Sequence, residues 1–239
     1  MKRKALLIGN SNGLAGVKLD LSNYVKFLTS DFGGRWYNSE IVIKMNPTKK
    51  DILNTIATIK NENPDFAFVA FSGHGAYHRT TILELNKDGE YIFETDLIGI
   101  SKRQITILDC CRNVVELSLT ERFEKGGVIA FSDSQNNIRL RYERRIMQAI
   151  EQQIILYACS INESSLDTEE GGLYTKNLLG SSKPLNNVSY KLVGDTHEEA
   201  ALKTRTFAWN SHRHIQNPAA VLPRCLTPLQ LIFSINPNC

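Results

Sequence analysis

The segment 65–77 reads DFAFVAFSGHGAY and joins an unbroken apolar run to a histidine that lies between two glycines. The run 66–71 contains no polar residue, which is typical of a strand buried on both faces of a sheet. His74 follows almost directly, so an ionisable side chain is expected at the carboxyl end of a buried strand. We interpret both glycines as functional, because Gly73 permits an unusual turn and Gly75 leaves its backbone N–H uncovered.

Short apolar strands alternate with amphipathic helices along the rest of the chain. Strands are predicted at 4–9, 40–45, 65–72, 104–111, 154–160 and 229–235, and helices at 17–32, 46–61, 138–153, 173–180 and 196–209. Alternating runs around Asp88 and Gly89 predict a small β-hairpin insertion at 81–95. This order favours an α/β fold with a mostly parallel six-stranded sheet and helices on both faces.

The composition is ordinary for a globular chain. Of the 239 residues, 42% are hydrophobic and 22% are charged, and the net charge of +3 is too small to indicate a nucleic-acid or membrane partner. No run approaches the roughly 18 apolar residues of a membrane helix. The five cysteines form no CxxC pair, so neither a disulfide framework nor a metal site is predicted, and a cytoplasmic location is expected.

Two of the predicted strands end in side chains that can support nucleophilic catalysis. His74 follows one strand, and the segment 109–112, Asp-Cys-Cys-Arg, ends another. In a parallel sheet both ends open on the same edge. An imidazole there can take the proton of a neighbouring thiol and leave a nucleophilic thiolate. A lone histidine or a buried cysteine is more often structural, but their combination favours a catalytic pair.

The motifs FSGHGAY and ILDCCRN together resemble those of the caspase-like cysteine peptidases, the group of caspases, metacaspases and bacterial relatives. KALLIGN and LYACS resemble further strands of that group, so the resemblance covers most of the chain. It implies one domain over 1–239, with a first half at 1–111, a linker and basic helix at 112–153, and a second half at 154–239. It also implies a protein or peptide substrate, no cofactor, and a stress, cell-death or defence pathway.

The same resemblance assigns roles to the residues at the two strand ends. His74 corresponds to the base and Cys111 to the nucleophile, with Cys110 as a buried neighbour. The backbone N–H groups of Gly75 and Cys111 correspond to the oxyanion hole. The chain reads Asp-Cys-Cys-Arg-Asn where animal caspases read Q-A-C-R-G, which favours a metacaspase-like relative.

Metacaspase-like enzymes cleave after Arg or Lys and bind that side chain with acidic residues. Asp109 and Glu163 are the candidate acids, and strand alternation predicts that Asp109 shares a face with Cys111. The alternative for Asp109 is a structural carboxylate that caps nearby backbone N–H groups. The basic helix is predicted to be a solvated face, and 138–150 is a candidate region for self-cleavage or for an activating partner.

Two other classes of function compete with the peptidase. A catalytically inactive caspase-like binding or regulatory module is one, although the presence of both His74 and Cys111 argues against it. A nucleotide-binding protein is the other, with LLIGNSNG at 6–13 as its phosphate loop. That segment has neither the G-x-G-x-x-G pattern nor the lysine of a P-loop.

Overall fold

The computed structural model of the protein describes residues 1–115 and 137–239. In chain order the elements are β1 (Arg3–Gly9), α1 (Val17–Thr29), β2 (Ile41–Met45), α2 (Lys49–Asn61), β3 (Phe66–Ser72), β4 (Gly75–His78), β5 (Thr80–Glu84), β6 (Tyr91–Phe93), β7 (Arg103–Asp109), α3 (Asn137–Gln148), β8 (Gln152–Tyr157), β9 (Asp167–Thr168), β10 (Gly171–Gly172), α4 (Leu173–Gly180), β11 (Tyr190–Leu192), α5 (Val193–His212), β12 (Ala219–Val221) and β13 (Ile232–Ile235). Most of the segment between β7 and α3, part of the expected linker, lies outside the described residues.

The central sheet has six strands in the order β12-β8-β7-β3-β1-β2. All neighbours are parallel except β12, which runs antiparallel to β8, so the mostly parallel six-stranded sheet is confirmed. The identity of the sixth strand differs from the expectation. The predicted last strand becomes β13 and pairs with β11, whereas the three residues of β12 complete the sheet. A three-residue strand between two prolines is too short to show a period in the sequence.

Helices cover both faces of the sheet, as predicted. Alternate side chains of each strand enter one of two cores; Leu7 points into the first and Ile8 into the second. The first core is closed by α1, α3, α4 and α5. The second is closed by α2 and by the small sheet β4-β5-β6, which contains the predicted hairpin. Within the described parts of the chain, no helix is long and apolar enough to cross a membrane.

Helix α3 is a packed helix rather than the solvated basic face that was predicted. Arg139 is buried and pairs with Glu40 at 2.6 Å and with Glu143 at 3.0 Å. Arg145 is buried as well and donates to the carbonyl of Gln230 at 2.9 Å. The prediction was wrong because a guanidinium can be buried when carboxylates or carbonyls elsewhere in the fold accept its hydrogen bonds.

Candidate active site

His74 and Cys111 follow the ends of two adjacent strands. The parallel register of β3 and β7 pairs Ser72 with Asp109. His74 lies two residues after Ser72, and Cys111 lies two residues after Asp109. The Gly73 N–H donates to the Asp109 carbonyl at 3.1 Å, which holds the two ends together. Both site side chains are partly exposed. The structure therefore places an imidazole and a thiol at the same edge of the sheet.

The glycine before His74 is required by the loop that leaves β1. A Cβ on Gly73 would lie 2.8 Å from the Cβ of Asn10, so only glycine permits this approach. The Asn10 side chain in turn accepts the N–H of Asn12 at 3.1 Å. The Asn12 carbonyl lies 2.6 Å from Nε2 of His74. Because a carbonyl only accepts hydrogen bonds, Nε2 must carry the proton, and the lone pair of the neutral ring is then on Nδ1.

The glycine after His74 lies against the segment that carries the cysteines. A Cβ on Gly75 would lie 2.7 Å from Sγ of Cys110 and 2.8 Å from its Cβ. On β4, the N–H of Tyr77 donates at 2.8 Å to Asn113, which follows shortly after Cys111. Backbone N–H groups alternate in direction along an antiparallel strand, so the N–H of Gly75 points to that same side.

Three thiols lie near this edge, and they differ in burial. Cys110 and Cys159 are buried, and burial raises the pKa of Cys110 well above its usual value and that of Cys159 to about 12. Cys111 is partly exposed, with its Sγ 3.9 Å from the carbonyl oxygen of Ser165. Because a nucleophile must reach its substrate, Cys111 is the thiol suited to catalysis.

Asp109 is buried at the end of β7 and accepts three hydrogen bonds. The Ser165 hydroxyl donates to Oδ1 at 2.6 Å, and the N–H and hydroxyl of Thr175 donate to Oδ2 at 2.9 and 2.7 Å. Thr175 lies in the first turn of α4, so Asp109 caps that helix. The capping contacts predicted as the alternative role of Asp109 are therefore present. Burial raises the pKa of Asp109 above its ordinary value.

The acid beside Asp109 is Asp20, which the sequence analysis missed. Asp20 is buried in the first turn of α1, accepts the Ser72 hydroxyl at 2.6 Å, and accepts the Gly172 N–H at 3.0 and 3.1 Å. Burial, followed by the charge of Asp109, raises the pKa of Asp20 to about 7. The sequence did contain a signal, because Asp20 interrupts the apolar stripe of α1 between Val17 and Leu21.

Glu163, the other predicted acid, has its carboxylate engaged elsewhere. Its oxygens accept the backbone N–H and the side-chain amide of Asn217, both at 2.7 Å, and the N–H of Ser160 at 3.2 Å. Its backbone carbonyl accepts the N–H of Arg112 at 2.9 Å. The contacts of Glu163 thus order the loop after β8, and the geometry favours Asp20 over Glu163 as the partner of Asp109.

Comparison with known proteins identifies the fold and the family of the chain. Caspase-1 from Spodoptera frugiperda has the same fold, with a TM-score of 0.62 and 12% identity over 92% of this chain and 88% of that chain. The protein GSU0716 from Geobacter sulfurreducens has a TM-score of 0.58 and 12% identity over 96% and 97%. No curated protein matches the chain significantly. The caspase domain family matches residues 2–204, and the chain therefore belongs to this family of cysteine peptidases.

Proposed function

We propose that the chain is a cysteine endopeptidase in which His74 and Cys111 form the catalytic dyad. The observation that carries the proposal is the pairing of Ser72 with Asp109, from which both residues extend at one edge of the sheet. With Nε2 held by the Asn12 carbonyl, the unprotonated Nδ1 of His74 can take the proton of Cys111. The thiolate attacks the substrate carbonyl, and the imidazolium then protonates the leaving amine.

Backbone N–H groups stabilise the oxyanion that this attack creates. Among residues 1–115 and 137–239, no hydrogen bond is formed by the N–H of Cys111. The N–H of Gly75 points toward the same segment, as the alternation along β4 requires. Two such donors at the position of the developing charge are the usual requirement of acyl-transfer sites.

The preferred residue before the scissile bond is Arg or Lys. Asp20 and Asp109 lie together, and Asp167 adds to the negative potential at both. Ser165 connects this cluster to the nucleophile, because its carbonyl lies beside Sγ of Cys111 and its hydroxyl donates to Asp109. A carboxylate offers about four acceptor positions, so Asp109 retains capacity for a guanidinium or ammonium in addition to its capping contacts.

The first experiment is a cleavage profile on a peptide library. Wild type should cleave after Arg and Lys, and Cys111→Ala should be inactive although folded. Cys110→Ala is the matched control and should retain most activity, since its thiol is buried. If only Cys110→Ala lost activity, the assignment of Cys111 as the nucleophile would be wrong. Cleavage mainly after Asp would contradict the basic specificity.

The contribution of the acidic site is measured with Asp109→Asn. Loss of a desolvated charged contact costs roughly 2–4 kcal/mol, so kcat/KM on Arg substrates should fall by roughly 30- to 1000-fold. Circular dichroism and thermal unfolding should show that the variant remains folded. The inactive-module alternative predicts instead that neither wild type nor any variant hydrolyses a peptide, and that no cysteine is labelled rapidly by a thiol-reactive peptide probe.

A further inference from the structure

Asp20 and Asp109, here called the acid pair, are buried side by side. Their exposed fractions are 1% and 4%. Both carboxylates approach Gly172, where a Cβ would lie 2.5 Å from Oδ2 of Asp109 and 3.1 Å from Oδ2 of Asp20. Across residues 1–115 and 137–239, neither acid forms an ion pair with Lys, Arg or His. Two like charges so close in a buried site repel strongly.

Within the described ranges, the groups that contact the acid pair carry no positive charge. The hydrogen-bond donors are neutral, namely the hydroxyls of Ser72 at the end of β3 and Ser165 beyond β8, the N–H of Gly172, and Thr175 in the first turn of α4. Among residues 1–115 and 137–239, the titratable groups that act most strongly on the pair or respond to its charge are acids: Asp167 on β9, the phenols of Tyr24 and Tyr174, and the thiols of Cys110 and Cys159. A proton is therefore the available means of reducing the negative charge of the pair.

We propose that the acid pair of the ligand-free enzyme holds one proton and that a cationic substrate side chain displaces it on binding. The inference rests on the proposed function and adds a proton to its binding step. The carboxylic O–H bond breaks, the proton passes to solvent, and the positive charge of the Arg or Lys side chain replaces that of the proton beside the acid pair. A neutral side chain of the same shape, such as citrulline, binds without proton release.

This coupling predicts a pH-dependent preference for arginine over citrulline. Only the pair without its proton can accept the cation, whereas citrulline can bind in either state. Since burial raises the pKa of Asp20 to about 7, the ratio of the two kcat/KM values should rise roughly tenfold per pH unit below pH 7 and level off above it. Protonation of His74 and Cys111 changes both kcat/KM values by the same factor, so it cancels in their ratio.

The test uses two fluorogenic peptides that differ only in arginine or citrulline before the scissile bond, assayed from pH 5 to 8.5. Asp20→Asn removes one of the two like charges and should therefore move the midpoint of the ratio to lower pH than in wild type. Asp167→Asn should keep the slope but move the midpoint to lower pH, because the charge of Asp167 raises the pKa of both acids. Glu169→Gln removes another exposed acid of the same loop and should leave the midpoint unchanged.

A constant ratio in wild type that still prefers arginine would overturn the coupling and leave the proposed function intact. Absence of cleavage after Arg at every pH would instead refute the proposed specificity. A second measurement does not depend on turnover or on the folding of Asp20→Asn. Calorimetry of Cys111→Ala with the arginine peptide at pH 6, in buffers of different ionisation enthalpy, should show release of close to one proton. Zero release, or equal release with the citrulline peptide, would also contradict the proposal.

Discussion

At the scale of single residues, the two glycines around His74 have different physical causes. Gly73 is required by the close approach of Asn10, which brings the Asn12 carbonyl to the imidazole. Gly75 is required by the close approach of Cys110. The first glycine thus orients the histidine, and the second brings the strand after the histidine against the cysteine segment.

A prediction at this scale concerns the activation of Cys111. Replacing His74 by Ala removes the group that takes the thiol proton, so alkylation of Cys111 by iodoacetamide near pH 7 should slow by about tenfold or more. The measurement is the labelling rate of the peptide that contains Cys111, followed by peptide mass mapping in a Cys110→Ala background, because Cys225 and Cys239 are accessible thiols as well. His78→Ala is the control, because that imidazole contacts Val115 instead. Equal rates for wild type and His74→Ala would leave the histidine with a structural role only.

At the scale of elements, helix α3 shows how a basic sequence can belong to the interior. Glu40, which follows α1 in the chain, accepts from both Arg3 and Arg139. The guanidinium of Arg3 also stacks 4.5 Å from the ring centre of Trp36. These contacts connect β1 to the helix that begins after the undescribed segment. Because Asn137–Gln148 is helical, this part of the candidate self-cleavage region is not presented as an extended chain.

The corresponding prediction compares two arginines of α3. Arg139→Ala leaves Glu40 and Glu143 partly buried without this partner, and the free energy of unfolding should fall by about 3 kcal/mol. Arg144 is exposed, and Arg144→Ala should change the free energy of unfolding by less than about 0.5 kcal/mol. Urea unfolding followed by circular dichroism measures both. Similar values for the two variants would show that the buried network contributes little.

At the scale of the whole molecule, the acid pair connects the proposed substrate site to the stability of the fold. It lies where α1, β3, β7, β10 and α4 meet. Asp109 accepts a hydrogen bond from the N–H of Thr175 in the first turn of α4, and Asp20 accepts one from the N–H of Gly172, just before that helix. Because burial and then the charge of Asp109 raise the pKa of Asp20 to about 7, the folded chain holds a proton between about pH 4 and pH 7 that the unfolded chain has lost. The stability supplied by this group is therefore present at low pH and falls as pH rises toward 7.

This sign can be tested by the thermodynamics of Asp20→Asn. The free energy of unfolding of the variant, relative to wild type, should be higher at pH 8 than at pH 5 by about 2 kcal/mol. His197, whose pKa burial lowers to about 4, has the opposite dependence, but it is present in both proteins and cancels in the difference. Asp88→Asn, in the exposed hairpin turn, is the control and should show no such change. A pH-independent difference for Asp20→Asn would contradict the shared proton.

The sequence by itself determined the fold class, the hairpin, and the strand ends that carry His74 and Cys111. These features follow from the periodicity of short apolar segments and from the residues that directly follow those segments in the sequence. The tertiary structure alone decided that Asp20 lies beside Asp109, that the Asn12 carbonyl holds the imidazole, and that Arg139 is buried. Each of these depends on groups distant in the chain, and a carbonyl or a compensating carboxylate leaves no local pattern to indicate its partner.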